Sequence, residues 1–472
     1  MTTAPPTPAE IQPEPRDQAP PRLDEPERSG RTMAIGWVVA AAVLSGLVSA
    51  VVLDVLVFAG AREHVITGMA LLAFAFGWGL LAVGSTRFTD QPQRWAIVPC
   101  AAMALTGAAV LVQAHSNRVM QSLGWVWPPL LLALTIWMVV QARSGLRSWT
   151  RRGFLYPVFA VLVIMAIGGA FETVQERSDR ATYAMPGRLI DVGGHGLHIR
   201  CTGSGSPTVV LEPGLGEMSS AYGLIAPAVA RESRVCVYDR AGRGWSESAT
   251  GAQRSGQAAT ELHALLTRAG VPGPYVLAGH SFGGLYVLAF AARYPDQVAG
   301  LVLIDSTPPD AFDSLPTYPT FYSGFRRVSA LGPSFARFGG MRLINLTSYG
   351  DFPEPARSEA RANSATARTA RSARDELAVA RTLMRDAAAL RSLGDRPLFV
   401  LTAGSGQEKG WSAAQDRLAR LSSNSVHVTA RGATHQSLLQ DRSDAPTTSR
   451  SILAVVHSVR DSSPLTSPRG TP

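Results

Sequence analysis

Lysine is almost absent from this 472-residue chain: Lys409 is the only one, and arginine supplies the rest of the 44 cations. Against 35 acids the formal charge is +9, spread along the chain without a polybasic run, which excludes a nucleic-acid-binding surface of the usual kind. Charge of either sign is scarce at 17% of residues, below the roughly 25% of soluble domains. With 46% hydrophobic residues the chain is neither disordered nor fibrous, and part of it must lie outside water. Cysteine is also scarce. Cys100, Cys201 and Cys236 are far apart, with no CxxC or Cys/His spacing, which argues against a structural zinc site. Neither a metal nor a cofactor is expected.

What is plentiful at the start is proline, eight in the first 30 residues, alternating with acids and arginines. Such a stretch cannot bury enough apolar area to offset ordering entropy, so residues 1–32 are expected to be a disordered tail, and 461–472 a second one. The first apolar run, Trp37 to Phe58, is too long and too far from the start for a signal peptide. Four more runs follow, Val65 to Gly84, Trp95 to Ala114, Trp125 to Gln141 and Phe154 to Phe171. Each is about long enough to cross a hydrocarbon core of about 30 Å. Tryptophans at or near the run ends suit interfacial anchors. Residues 33–174 are therefore expected to form five transmembrane helices.

Orientation follows from the short flanks. With the N-terminus inside, the inner flanks hold Arg16, Arg22, Arg28, Arg31, Arg87, Arg94, Arg143, Arg147, Arg151 and Arg152, and the outer loops only Arg62 and Arg118. Five crossings then deliver the C-terminal half to the outer side of a cell membrane, through a linker at 175–187.

From Arg188 the texture changes to strands alternating with helical patterns: RLIDVGGHGLHIRCTG, PTVVLEPG, SRVCVYDRAGRG, PYVLAG, VAGLVLID, PLFVLTAG and SVHVTARG. Alternation of this kind predicts an α/β domain over 188–460, a mostly parallel sheet with helices on both faces. The alternation stops between Ser306 and Asp395, a stretch too long for a plain loop, which is read as a largely helical cap inserted at 306–395. Its Tyr318, Phe321, Tyr322, Phe325, Phe335 and Phe338 fit either an apolar pocket or a small core of the cap itself.

The segment GHSFGG at 279–284 is G-x-S-x-G directly after a buried strand and before a helix. That context sets Ser281 on a sharp turn with its hydroxyl exposed and a helix N-terminus beside it. A serine hydroxyl needs a base, and of nine histidines His435, in ARGATHQSLL after the last strand, is best placed. His280 adjoins the serine but points away from it in such a turn. Carbonyl chemistry also needs oxyanion donors, and the backbone N–H groups near Leu215, in the PGLG loop, and at Phe282 can supply them.

The combination LEPGLG, YDRAGRGWS, GPYVLAGHSFGGLYVLAFAARYP, VAGLVLIDSTPP, PLFVLTAG and GATH resembles the α/β-hydrolase superfamily, of the serine hydrolase, esterase or lipase-like kind, over a little under 60% of the chain. The resemblance implies an eight-stranded sheet in the order 1-2-4-3-5-6-7-8 with strand 2 antiparallel, and a cap after strand 6. Serine at 281 disfavours the haloalkane dehalogenase and epoxide hydrolase branches, which use an aspartate there. For the third triad member three acids compete, and Asp305 is taken first with Glu408 as the alternative. Asp305 ends strand 6, from which some members take their acid; Glu408 follows strand 7 one place later than usual; Asp416 lies in the helix after it. The implied strand order also puts Cys201 and Cys236 on neighbouring strands, where an oxidising outer side would join them.

The expected function is a membrane-anchored serine hydrolase acting through an acyl-enzyme on an ester, amide or acyl bond of a small-molecule or lipid substrate. The alternative is a catalytically idle or transport-associated membrane protein using the fold as a binding module.

Overall fold

The computed structural model describes residues 1–4, 33–146, 153–249 and 256–467. The tail expected over 1–32 falls almost wholly outside them, as do Arg16, Arg22, Arg28, Arg31, Arg147, Arg151 and Arg152 of the inner flanks.

The apolar runs become helices. The first, α1 (Ile35–Val51), continues through a π-helical turn to Val57, and is followed by α2 (Glu63–Phe88) and α3 (Ile97–Gln113), which a short turn extends back to Arg94. The fourth run differs from expectation: it is a bent pair, α4 (Asn117–Leu123) and α5 (Trp127–Gly145), meeting at 44°. The cause is local, since Pro128 and Pro129 lack the N–H that a continuous helix needs and fit only its first turn. The fifth, α6 (Tyr156–Thr182), runs well past Phe171, so the segment read as a 175–187 linker is helical up to Thr182. Glu, Gln and Arg favour helix there, and Arg180 pairs with Glu176 one turn back at 2.7 Å. Four of these units, Ile35–Val57, Glu63–Phe88, Arg94–Gln113 and Tyr156–Thr182, are long and apolar enough to cross a membrane, and the bent pair makes a fifth if it counts as one span.

The second half is a sheet of eight strands in the order β1-β2-β4-β3-β5-β6-β7-β8. The strands are β1 (Arg188–Asp191), β2 (Gly196–Thr202), β3 (Thr208–Glu212), β4 (Val235–Tyr238), β5 (Tyr275–His280), β6 (Val298–Ile304), β7 (Leu398–Ala403) and β8 (Ser425–Ala430). β2 is antiparallel to both neighbours and the other pairs are parallel. Parallel strands buried on both faces alternate between two cores: Val210 and Leu277 face one, Val209, Leu211, Val276 and Ala278 the other. On the first face lie α7 (Gln257–Arg268) and α8 (Gly283–Arg293). Cys201 and Cys236 are partners in register across β2 and β4, and their sulfurs are bonded; Cys100 is free.

The cap inserted after β6 is built from α9 (Tyr318–Arg337), α10 (Gly340–Ile344), α11 (Ala356–Ser364) and α12 (Ala367–Ala388). Its aromatics divide: Tyr318 and Tyr322 are buried, while Phe321, Phe325 and Phe335 are exposed, so they form neither one pocket nor one core. After β7 comes α13 (Trp411–Ala419), and α14 (Ala445–Asp461) covers the second face through Ile452, Val455 and Val456. The tail read as disordered from 461 begins by docking: Leu465 is buried and its N–H donates to Asn424 Oδ1 at 2.8 Å. Residues 468–472 lie outside the described residues.

Candidate active site

Ser281 occupies the turn between β5 and α8 with φ of +54°, a left-handed conformation that a serine holds only when its surroundings enforce it. They do so through the backbone: its N–H donates to the Ile304 carbonyl at 3.0 Å, and its own carbonyl accepts from Thr307 at 3.0 Å and Gly284 at 3.1 Å. Close approach requires glycine just beyond it, since a Cβ at Gly283 would stand 2.4 Å from the Glu212 carbonyl oxygen. Strand β3 and the elbow are thereby pressed together, which brings the Pro213–Gly216 loop beside the serine.

His435 is in the loop after β8. Its Nδ1 lies 2.6 Å from Asp305 Oδ2, and its side chain is 35% exposed while that of Asp305 is fully buried. The imidazole is therefore held from behind and open in front. Asp305, also left-handed at φ +42°, receives two further hydrogen bonds at Oδ1, from Ala403 N–H at 3.2 Å and Trp411 Nε1 at 2.8 Å, and one at Oδ2 from Gln407 Nε2 at 2.8 Å. Burial alone would raise this carboxyl; the His435 bond and charge and the Trp411 and Ala403 donors outweigh it and hold it below the ordinary carboxylate value.

The other two acids go elsewhere. Glu408 accepts from the Thr317 hydroxyl at the start of the cap, and Asp416 pairs with His427 at 2.8 Å on a solvent-facing edge. Leu215 and Phe282 flank the elbow, and no hydrogen bond within the described residues engages the N–H of either.

Beneath this surface is a layer of charge that sequence reasoning missed. His280 turns away from Ser281 and pairs through Nδ1 with Glu217 at 2.9 Å, while its Nε2 lies 3.1 Å from the His435 carbonyl. Burial would lower the His280 pKa, but the Glu217 carboxylate raises it above the usual value; burial would raise Glu217, but His280 and the Gly214 N–H hold it down. Each partner thus shifts the other toward its charged form. Arg240 bonds Glu212 and Glu376 and donates to the carbonyls of Pro213 at 2.6 Å and Gly214 at 2.7 Å; Arg243 donates to those of Gly214 at 3.1 Å and Glu217 at 2.9 Å. Two buried guanidinium groups therefore fix the backbone of the PGLG loop from below. The one signal available in the sequence was YDRAGRG, two arginines in the loop that follows a strand. Among the described residues, no group of three or more His, Cys, Asp or Glu side chains is placed to hold a metal.

Residues 207–401 match the family model described as alpha/beta hydrolase fold. A protein of unassigned function from Schizosaccharomyces pombe is 29% identical over 228 residues, 46% of this chain and 40% of its own length. A 2-hydroxymuconate semialdehyde hydrolase from a Pseudomonas strain is 30% identical over 166 residues, 34% of this chain and 55% of its own. The chain thus spans about half or less of the length of these curated relatives. A solved thermophilic esterase from Thermogutta terrifontis superposes with a TM-score of 0.43 at 23% identity, over 56% of this chain and 94% of its own.

Proposed function

We propose, with the α/β-hydrolase fold of residues 188–461 as the premise, that the chain is a membrane-anchored serine hydrolase cleaving an ester, amide or related acyl bond through an acyl-enzyme. Ser281 Oγ attacks the carbonyl carbon while His435 Nε2 takes its proton; Asp305 keeps the other proton on Nδ1 and balances the imidazolium charge. The developing oxyanion is received by the N–H groups of Leu215 and Phe282. His435 then protonates the leaving group, the acyl group stays on Ser281, and a water activated by the same imidazole releases the acid.

The observation that carries this reading is the 2.6 Å bond from His435 to a buried, four-times hydrogen-bonded Asp305, beside a serine held in a left-handed turn. Two strained backbone positions of this kind, each costing about 1–3 kcal/mol, cluster where geometry is used. Labelling with a fluorophosphonate probe tests it. Ser281→Ala is expected to abolish labelling and to lower hydrolysis by about four orders of magnitude or more. Labelling retained by the variant would end the serine reading.

The same proposal places the apolar helices in a cell membrane, N-terminus in the cytoplasm and hydrolase domain outside. It is supported by the ten inner against two outer arginines.

A further inference from the structure

The cap helix α9 joins two places that the fold otherwise keeps apart. At its start, Thr317 bonds Glu408, whose neighbour Gln407 holds Asp305 at 2.8 Å. Toward its end, Ser334 Oγ lies 2.9 Å from Thr67 Oγ1, and Arg337 pairs with Glu63 and reaches Asn117 Oδ1 at 3.1 Å. Twenty residues of helix make about 30 Å, so one element reaches from the rim of the candidate site to the apolar helices.

The contacts also fix its level. Arg326 packs over Gly60, in the loop between the first two spans, which puts the middle of α9 at the membrane surface. Thr67 is one turn inside α2 from Glu63. Just after α9, Phe338 meets Trp127 edge-on at 5.3 Å, and its carbonyl would stand 2.3 Å from a Cβ at Gly168, which lies within the apolar part of α6. The lower end of α9 and the start of α10 thus lie at the depth of the last apolar turns, tied there by Arg342 to Glu172 and, at 2.8 Å, to Asp179.

Along this helix large apolar side chains are left uncovered. Phe321, Phe325, Val328 and Phe335 follow one another at spacings of four, three and seven, which is one face, and Leu343 and Ile344 are likewise exposed on α10. The adjoining face, with Tyr322 donating to the Leu377 carbonyl at 2.7 Å, packs on α12. A cap bathed in water would expose polar residues along such a face.

We propose that α9 and α10 are seated in the membrane leaflet on the hydrolase's side, and that their apolar face is the path by which the acyl chain of a membrane lipid reaches Ser281. Resting on the serine-hydrolase reading above, this names the substrate class: a long-chain acyl ester drawn sideways from the bilayer. Arg326 and Arg327, exposed at the surface level of α9, suit the phosphate layer through which the chain passes.

Two measurements on the full chain, reconstituted in phosphatidylcholine–phosphatidylglycerol vesicles, test it. The first needs no turnover. Val328→Cys and Leu343→Cys in a Cys100→Ser background carry an environment-sensitive dye, expected to emit as in lipid and to be quenched by nitroxides on the acyl chains; quenching by aqueous iodide instead would overturn the seating. The second compares a vesicle-borne long-chain acyl ester with a water-soluble acetyl ester. Phe325→Ser combined with Val328→Ser is expected to lower the long-to-short ratio of kcat/KM by about tenfold or more, since two apolar contacts are removed from one path only. An unchanged ratio would overturn the path, even with the helix in lipid. Absence of phosphonate labelling at Ser281, with the dyes still in lipid, would instead sink the serine-hydrolase reading on which the path depends.

Discussion

Nδ1 of His280 lies 2.9 Å from Oε2 of Glu217, and Nε2 of the same ring lies 3.1 Å from the backbone carbonyl of His435. A second acid–histidine pair therefore stands back to back with Asp305 and His435, the two imidazoles 4.5 Å apart at their centroids. The Glu217 carboxylate also accepts from the Gly214 N–H at 2.8 Å, so one side chain braces both the histidine loop and the PGLG loop. Glu217→Gln keeps the shape and removes the carboxylate charge that raises the His280 pKa. It is expected to lower kcat by about tenfold to a hundredfold, the scale of a misplaced catalytic group, with KM little changed. Wild-type kcat in the variant would reduce this pair to a packing role.

The acid is separable by substitution. Asp305→Asn leaves shape and most donors in place but presents the wrong hydrogen-bonding partner to His435, and turnover is expected to fall by about three to four orders of magnitude with the thermal midpoint little moved. Glu408→Gln, which touches Thr317 rather than the histidine, is expected to retain turnover within about threefold. The reverse ranking in a kcat comparison would assign the role to the strand-7 acid.

The Ser281 turn, the PGLG loop and the last-strand histidine were legible because each is a short motif tied to one strand end. Asp305 was placed ahead of Glu408 from its position at the end of a strand, but its donors were not legible: Ala403, Gln407 and Trp411 are about a hundred residues away and meet it because β6 and β7 are neighbours. The Glu217–His280 pair, 63 residues apart, was hidden for the same reason. Apolar runs announced helices but not their ends. Hydropathy stops at Phe171 while helix propensity continues to Thr182, and the two prolines that bend the fourth run lie inside an unbroken apolar stretch. In the cap, the residues alone did not tell a buried Tyr322 from an exposed Phe325, because which face of α9 is covered depends on α12.

Acid stability should have an identifiable source in Asp239. Burial would raise this carboxyl, but His198 at 2.8 Å and the N–H groups of Ser219 at 2.7 Å and Trp245 at 3.1 Å hold it below its ordinary value of 3.8. A carboxylate depressed in the folded state stabilises the fold fully above its unfolded pKa and loses that contribution as pH falls through the folded one. Asp239→Asn is therefore expected to lower the thermal midpoint at pH 7, with the gap to wild type closing below about pH 4. An equal gap at pH 7 and pH 3, in detergent-solubilised protein, would show that the loss is packing rather than charge.

The sulfur chemistry and the orientation of the chain predict one another. Cys201 and Cys236 are bonded across β2 and β4, closing a loop of sequence separation 35, whose loss is expected to cost about 2–4 kcal/mol by the loop-entropy argument. Such a bond persists in an oxidising compartment and not in a reducing cytoplasm, and the orientation proposed from the arginine asymmetry would put the hydrolase domain on the outer side. Protein purified without reductant and then unfolded is expected to show one reactive thiol, Cys100, and three after reduction. A C-terminal alkaline phosphatase fusion, active only outside, is expected to be active in cells. Three free thiols together with an inactive fusion would reverse the orientation, placing the sheet and its serine on the cytoplasmic face.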